Sequence, residues 1–249
     1  MGIATHVRRI SPRFWFYCRF LRYKFYKGEP ELWLMRHLLR DCALALDVGS
    51  SIGLYSRELS RHAGKVVAFE ANPRVAAFAK HVARRNVEVV NVALSSTAGE
   101  VSLHIPLNRR EHTADDLATI ESKNPISAER GITERVATRR LDDYGFVGCG
   151  FIKIDVEGHE EAVLDGAIEL ITTQRPIMMI ELEDRHNAGT VARVTARLSA
   201  LSYTAYRLSQ GRLRPAAELD PKTDATPTVN FIFIPQEAGA RIASGLLAA

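Results

Sequence analysis

The residues with the clearest chemical content are Asp47-Val-Gly-Ser-Ser-Ile-Gly53, a turn that ends a short apolar run. Gly49 allows a tight turn, and a ligand can lie against its bare backbone. Gly53 lets the following helix start close to the strand. The spacing is Gly-x-x-x-Gly, and Ser51 stands where a dinucleotide fingerprint carries its middle glycine. That glycine is what lets a pyrophosphate approach. Ser50 and Ser51 therefore suit a nucleoside ligand that lacks a pyrophosphate. Glu70 ends the next apolar run, 23 residues after Asp47, and Ala71 follows it. An acid there accepts hydrogen bonds from both hydroxyls of a ribose. Asn91 and Ala93, in Asn91-Val-Ala-Leu94, close a third run on the edge that faces the base of such a ligand. Each feature has a plainer alternative: an ordinary strand–helix turn, a solvated glutamate before a proline, a strand exit.

A second set of residues suits reaction rather than binding. Phe151-Ile-Lys-Ile-Asp155-Val-Glu157-Gly-His159 runs from an apolar strand into a helix. Side chains two apart on a strand share a face, so Asp155 and Glu157 are candidates for one cleft. Orienting a hydroxyl and taking its proton is work for a carboxylate or a histidine, which also brings in His159. Glu181 ends a further apolar run and is a candidate to orient the same hydroxyl. Alternatively, Asp155 caps the helix while Glu157, Glu160 and Glu161 favour its positive end. Glu29 and Glu31 precede the first strand, as acids at a helix start or as contacts for a ligand amino group. Asp155, Glu157 and Glu181 have the chemistry for Mg²⁺, yet no metal is expected. Asp115 and Asp116 match neither a calcium loop nor a zinc site.

Positioning these groups requires alternating strands and helices. Strands are expected over 43–49, 65–71, 87–94, 100–105, from 136, and over 150–156 and 176–182. Helices are expected over 29–40, 52–64, from Pro73 to about Asn86, and over 157–174 and 189–201. Residues 202–208 and 228–235 read as a closing antiparallel pair. Residues 106–135 read as a polar loop with room for one short helix. The pattern predicts an α/β, doubly wound, mainly parallel seven-stranded sheet with an antiparallel C-terminal strand. It divides the chain into a segment 1–28, one domain over 29–236 and a tail 237–249.

With 249 residues, 46% hydrophobic and 25% charged, the chain can bury one large core. A net charge of +4 is too slight to call for nucleic acid. Cys18, Cys42 and Cys149 are odd in number and widely spaced, which predicts no disulfide framework and a reducing cytoplasm. Neither a transmembrane helix nor a secretory signal is expected. The basic excess is concentrated: seven Arg or Lys, no acid and eight aromatics lie between Arg8 and Lys27. Such a segment either rests on anionic lipid at the inner face of a membrane or packs on the sheet or a partner, the commoner use.

DVGSSIG, AFEANP, NVALS with a following glycine, RRLDDY, FIKIDVEGHEEAVLDGA and RPIMMIELE together resemble the FkbM family of S-adenosylmethionine (SAM)-dependent methyltransferases, over about residues 29–185. The resemblance implies a class I methyltransferase fold and O-methylation of a sugar, glycan or natural-product hydroxyl. It implies SAM on Asp47, Gly49, Gly53 and Glu70, with Asp155 beside the methyl group. Two positions depart from the family pattern: Ser50-Ser51 replaces Ala-Asn, and Glu70-Ala71 replaces Glu-Pro. The likeness fades over 106–135 and the C-terminal third, where acceptor choice is expected to reside. Two other classes compete on a similar sheet. An NAD-dependent oxidoreductase is disfavoured by the missing middle glycine. A non-catalytic SAM-binding module is disfavoured by the acids at 47, 70, 155 and 157.

Overall fold

A computed structural model describes residues 11–107, 118–121, 130–219 and 229–243. Its strands are β1 Cys42–Val48, β2 Ala63–Phe69, β3 Val87–Val90, β4 Ala93–Leu94, β5 Gly99–Pro106, β6 Gly131–Arg139, β7 Cys149–Ile154, β8 Ile177–Glu181, β9 Tyr203–Ser209, β10 Arg212–Pro215 and β11 Asn230–Pro235. Eight of them form one sheet in the order β10-β9-β11-β8-β7-β1-β2-β3. The run from β3 to β8 is parallel, and β11 lies antiparallel between β8 and β9. Seven of the expected strands are thus in this sheet, while 100–105 and the strand from 136 join a second one. The correction is an eighth, β10, which pairs with β9 at the edge. Its sequence, Arg-Leu-Arg-Pro, has no apolar run to announce it, and its proline is tolerated there because an edge strand has a free side.

The central strands read as continuous apolar runs because both faces are covered. Leu44, Leu46, Val48, Ile152 and Ile154 face one way, and Ala45, Phe151 and Met179 the other. The first face packs on α5 Glu160–Asp165, α6 Ile168–Gln174 and α7 Thr190–Ala200. The second packs on Leu32, α2 Met35–Leu38 and α3 Leu54–Leu59. The remaining helices are α1 Pro12–Arg22, α4 Pro73–Val82 and α8 Gln236–Ala243. Phe16 and Phe20 of α1 are buried, and Trp15 meets Phe78 of α4 edge-on. Among the described residues no helix is long and apolar enough to cross a membrane.

Three expected elements are divided. The run 87–94 breaks after Val90, and Ala93–Leu94 joins a second sheet in the order β4-β6-β5. Val89 and Leu94 belong to different cores, so the chain must change direction between them. The helix over 157–174 breaks at Gly166, where a Cβ would lie 2.1 Å from the Ser95 carbonyl oxygen. Asp142 then caps α6, accepting from the Glu169 and Leu170 N–H groups at 3.2 and 2.9 Å. The helix over 29–40 is a 3₁₀ turn, Pro30–Trp33, followed by α2. β6 starts at Gly131 rather than 136 and pairs with β5 along its whole length. Asp115 and Asp116 lie outside the described residues.

Candidate active site

The chain order reverses between β1 and β7, and such a point opens a crevice beyond the carboxyl ends of the strands. Gly49 and Asp155 meet there. A Cβ on Gly49 would lie 1.7 Å from the Asp155 carbonyl oxygen, and its φ is +76°, so only glycine fits. The Gly49 and Ser50 N–H groups donate to the Phe69 carbonyl at 3.0 and 2.9 Å, which ties the turn to β2. Ser51, also left-handed at φ +49°, directs its N–H to Glu70 Oε2 at 2.8 Å. The Asn72 N–H donates to Glu70 Oε1 at 2.8 Å. One backbone donor therefore clamps each carboxylate oxygen and leaves lone pairs on both. Burial pushes the Glu70 pKa up to about 7 against those two bonds.

Two cavities meet at Gly49, Ser51 and Asp155. One has an apolar side that includes Phe69, Ala71, Ala93, Leu94 and Leu103. Glu70, Asp155, Glu157 and Glu181 supply its acids. The other is lined by Asp47, Ser50, Tyr55 and Lys153, together with Trp15, Arg19, Tyr23 and Glu29. Asp47 is fully buried, and its Oδ2 accepts from the Ser56 hydroxyl at 2.5 Å. Asp47 Oδ1 and the Ser50 hydroxyl are buried on this cavity with no hydrogen-bond partner among the described residues. Each such group costs about 1–3 kcal/mol. A polar ligand would relieve both.

Lys153, which the sequence reading did not single out, organises the charges. It is 2% exposed, holds Asp155 Oδ2 at 2.7 Å and lies 4.6 Å from the Tyr55 ring centre. Burial works against its charge, but Asp155, Asp47 and Glu29 outweigh it and raise its pKa. Glu29 accepts from the Tyr23 and Tyr55 hydroxyls, each at 2.5 Å, and from Asn230 Nδ2 at 2.7 Å. Burial pushes that carboxyl up, while Lys153 and these donors hold it below its ordinary value. Both oxygens of Glu29 are thus already engaged. Glu31 is fully buried and lines neither cavity. Burial first, and then the Asp155 charge, pushes Glu157 and Glu181 up to about 8. Glu157 sits at φ +51°, with the His186 Nδ1 3.3 Å from its Oε2. Among the described residues no group of three or more His, Cys, Asp or Glu is arranged to hold a metal ion.

Of the expected residues, Asp47, Gly49, Ser50, Ser51, Glu70, Ala71, Ala93, Asp155, Glu157 and Glu181 all line one or both cavities. Gly53, Asn91 and His159 line neither. Gly53, at φ +89°, starts α3. The Asn91 amide donates to the Glu70 and Ala71 carbonyls at 2.8 and 2.9 Å and so braces the turn from behind. His159 has both ring nitrogens engaged, with Ser95 Oγ at 2.9 Å and Glu121 Oε2 at 3.3 Å. Burial lowers its pKa, which leaves it neutral at pH 7. Lys153 did leave a signal, a lysine inside an apolar strand and in phase with Asp155. Tyr23, Tyr55 and His186 left none, because only tertiary packing brings them here.

A parallel sheet with a reversal crevice, a glycine turn and a clamped acid on the neighbouring strand defines a Rossmann-like nucleotide-dependent enzyme fold. The chain belongs to the FkbM methyltransferase family: the model of its methyltransferase domain matches residues 47–208, from the turn to the end of β9. The methyl donor of that family is SAM. Among solved structures, an FkbM methyltransferase from Methylobacillus flagellatus KT superposes with a TM-score of 0.51 at 16% identity. The match covers 92% of this chain and 60% of that one, so the chain spans about three fifths of its relative's length. A precorrin-6y C5,15-methyltransferase from Geobacter metallireducens GS-15 gives a TM-score of 0.44 at 14% identity, over 84% of this chain and 88% of that one. No curated protein sequence matches the chain.

Proposed function

We propose that this protein is a SAM-dependent O-methyltransferase whose acceptor is a hydroxyl of a sugar, glycan or natural product. One observation carries the reading: the clamped Glu70, the unpartnered Asp47 Oδ1 and Ser50 hydroxyl, and the acids Asp155, Glu157 and Glu181 all open onto the same joined cavities. In this reading Glu70 accepts from the ribose hydroxyls, and Ala71, Ala93 and Leu94 wall in the base. Asp47, Gly49, Ser50 and Ser51 hold the amino-acid end. Bound SAM supplies an electrophilic methyl carbon on a sulfonium. The rest is alignment by this chain, which is catalysis mainly by proximity. Lys153 fixes the Asp155 carboxylate, which orients the acceptor hydroxyl. Glu181 and Glu157, with pKa values pushed up to about 8, match the task of taking a proton near neutral pH. His159 holds Glu121 and Ser95 instead of acting as the base. The free cysteines, two of them buried, support a reducing, cytoplasmic setting.

Calorimetry with SAM tests the cofactor site. Removing charge-assisted bonds worth about 1.5–3 kcal/mol, Glu70→Ala and Asp47→Ala should each weaken binding roughly 10–100-fold. Unaltered affinity in both variants, or stabilisation by NAD and not by SAM, would overturn the assignment. Mass spectrometry of extracts incubated with methyl-labelled SAM then identifies the acceptor. A labelled nitrogen or carbon instead of oxygen would refute O-methylation.

A further inference from the structure

We propose that α1 and the turn that follows it form a docking surface for an anionic lipid bilayer. This goes beyond the methyl-transfer reading and does not depend on it. Among the described residues the exposed large hydrophobic side chains are concentrated here: Phe14 59%, Tyr17 45%, Phe25 58%, Tyr26 86% and Trp33 46% exposed, with Val147 the one elsewhere. The helix is apolar on two opposite faces. Phe16 and Phe20 are buried against the domain. Phe14, Cys18, Leu21 and Phe25 recur three and four apart and form an outward stripe, of which Leu21 alone is half-buried. A helix that only packs on its own domain needs one apolar face.

Charge selects the occupant. Arg19 and Arg22 flank the stripe on one side and Arg13 on the other, all three exposed, with no acid between Arg8 and Lys27; Lys24 turns inward and pairs with the buried Glu58 at 2.6 Å. The basic surface continues into a groove shared by Arg13, Tyr17, Arg57, Arg84 and Arg85. There the buried Arg57 Nε has no hydrogen-bond partner among the described residues. Aromatics at the boundary with arginines at the headgroups is the arrangement of an interfacial helix. A second copy set against this stripe would bring like-charged flanks face to face. A nucleic acid would satisfy the charges but leave the Phe14–Cys18–Leu21–Phe25 stripe in water. Trp15, Arg19 and Tyr23 also line the cavity over Asp47, so the same helix would hold that cavity beside the lipid surface.

The chain's two tryptophans, Trp15 and Trp33, both belong to this region, so intrinsic fluorescence reads docking directly. The full chain should co-sediment with vesicles containing phosphatidylglycerol and not with phosphatidylcholine alone, its emission shifting to the blue. Phe14→Ser with Phe25→Ser should weaken binding at least about tenfold, and Arg22→Gln about fivefold. Unfolding temperature and SAM affinity serve as controls that both variants are folded. Several results would overturn the proposal. These are no sedimentation with either vesicle, equal binding by the Phe14/Phe25 variant, or a concentration-dependent dimer lost in that variant. Binding of an oligonucleotide that depends on Arg22 and not on Phe14 and Phe25 would also do so.

Discussion

Lys153→Met isolates what the buried ammonium does. Methionine keeps most of the volume and an apolar stem over Tyr55, so little of the loss comes from a cavity. What remains is Asp155, previously 2.7 Å from its counter-ion, with Asp47 and Glu29 close enough to raise the lysine's pKa. Breaking a buried pair by removing one partner costs about 3–5 kcal/mol. In a chain of this size each kcal/mol lowers Tm by about 2–4 °C, so a fall of roughly 6–20 °C is expected at pH 7.5. The sign with pH is defined. Carboxyls that lose a cation have raised pKa values, so protonation relieves them and the deficit shrinks towards pH 5. In the parent protein the lysine's stabilisation is complete below its unfolded value of 10.5 and is lost only above its raised folded value, outside the assay. Differential scanning fluorimetry of ligand-free protein at pH 5 and 7.5 measures both effects. A Tm near that of the parent at pH 7.5, or a larger deficit at pH 5, would show that the pair does not carry this energy.

Three further outcomes follow from the same geometry. Glu70, pushed up to about 7, and Glu157 and Glu181, up to about 8, hold protons that the unfolded chain releases near 4.5. Their stabilisation is complete below 4.5 and lost as pH rises through 7–8, so the ligand-free Tm should fall between pH 5.5 and 8.5, less steeply in Glu157→Gln; a rise would contradict the burial argument. Gly49→Ala, with its Cβ 1.7 Å from the Asp155 carbonyl, should give no folded, SAM-binding protein, as circular dichroism and calorimetry would show. Asp142→Ala should cost about 1–2 kcal/mol by uncapping α6, with SAM affinity unchanged in calorimetry, and a change in that affinity would link α6 to the site.

Much of the nucleotide half of the site was legible in the sequence, because it is built from local spacing. A turn that needs φ > 0 at Gly49 needs glycine wherever the chain goes, and an acid at the end of the next strand lies beside it in any parallel pairing. Polar residues near that edge were less legible. Asn91 and His159 have the side chains of ligand contacts, yet hydrogen bonds to Glu70, Ala71, Ser95 and Glu121 consume them. Residue type states what a group can do, and only its neighbours decide where that capacity is spent.

The sequence by itself determined the alternation of strands and helices, the DVGSSIG turn, Glu70 and the acids at the ends of β7 and β8. Tertiary structure alone decided the split of 87–94 between two sheets, the edge strand β10 and the break at Gly166. It also decided the electrostatics. Lys153, Asp47, Tyr23, Tyr55, Glu29 and Asn230 meet in one buried network, in which Asn230 bonds Glu29 from 201 residues away. Proton affinities there depend on burial and on charges across the cleft, neither of which has a period along the chain.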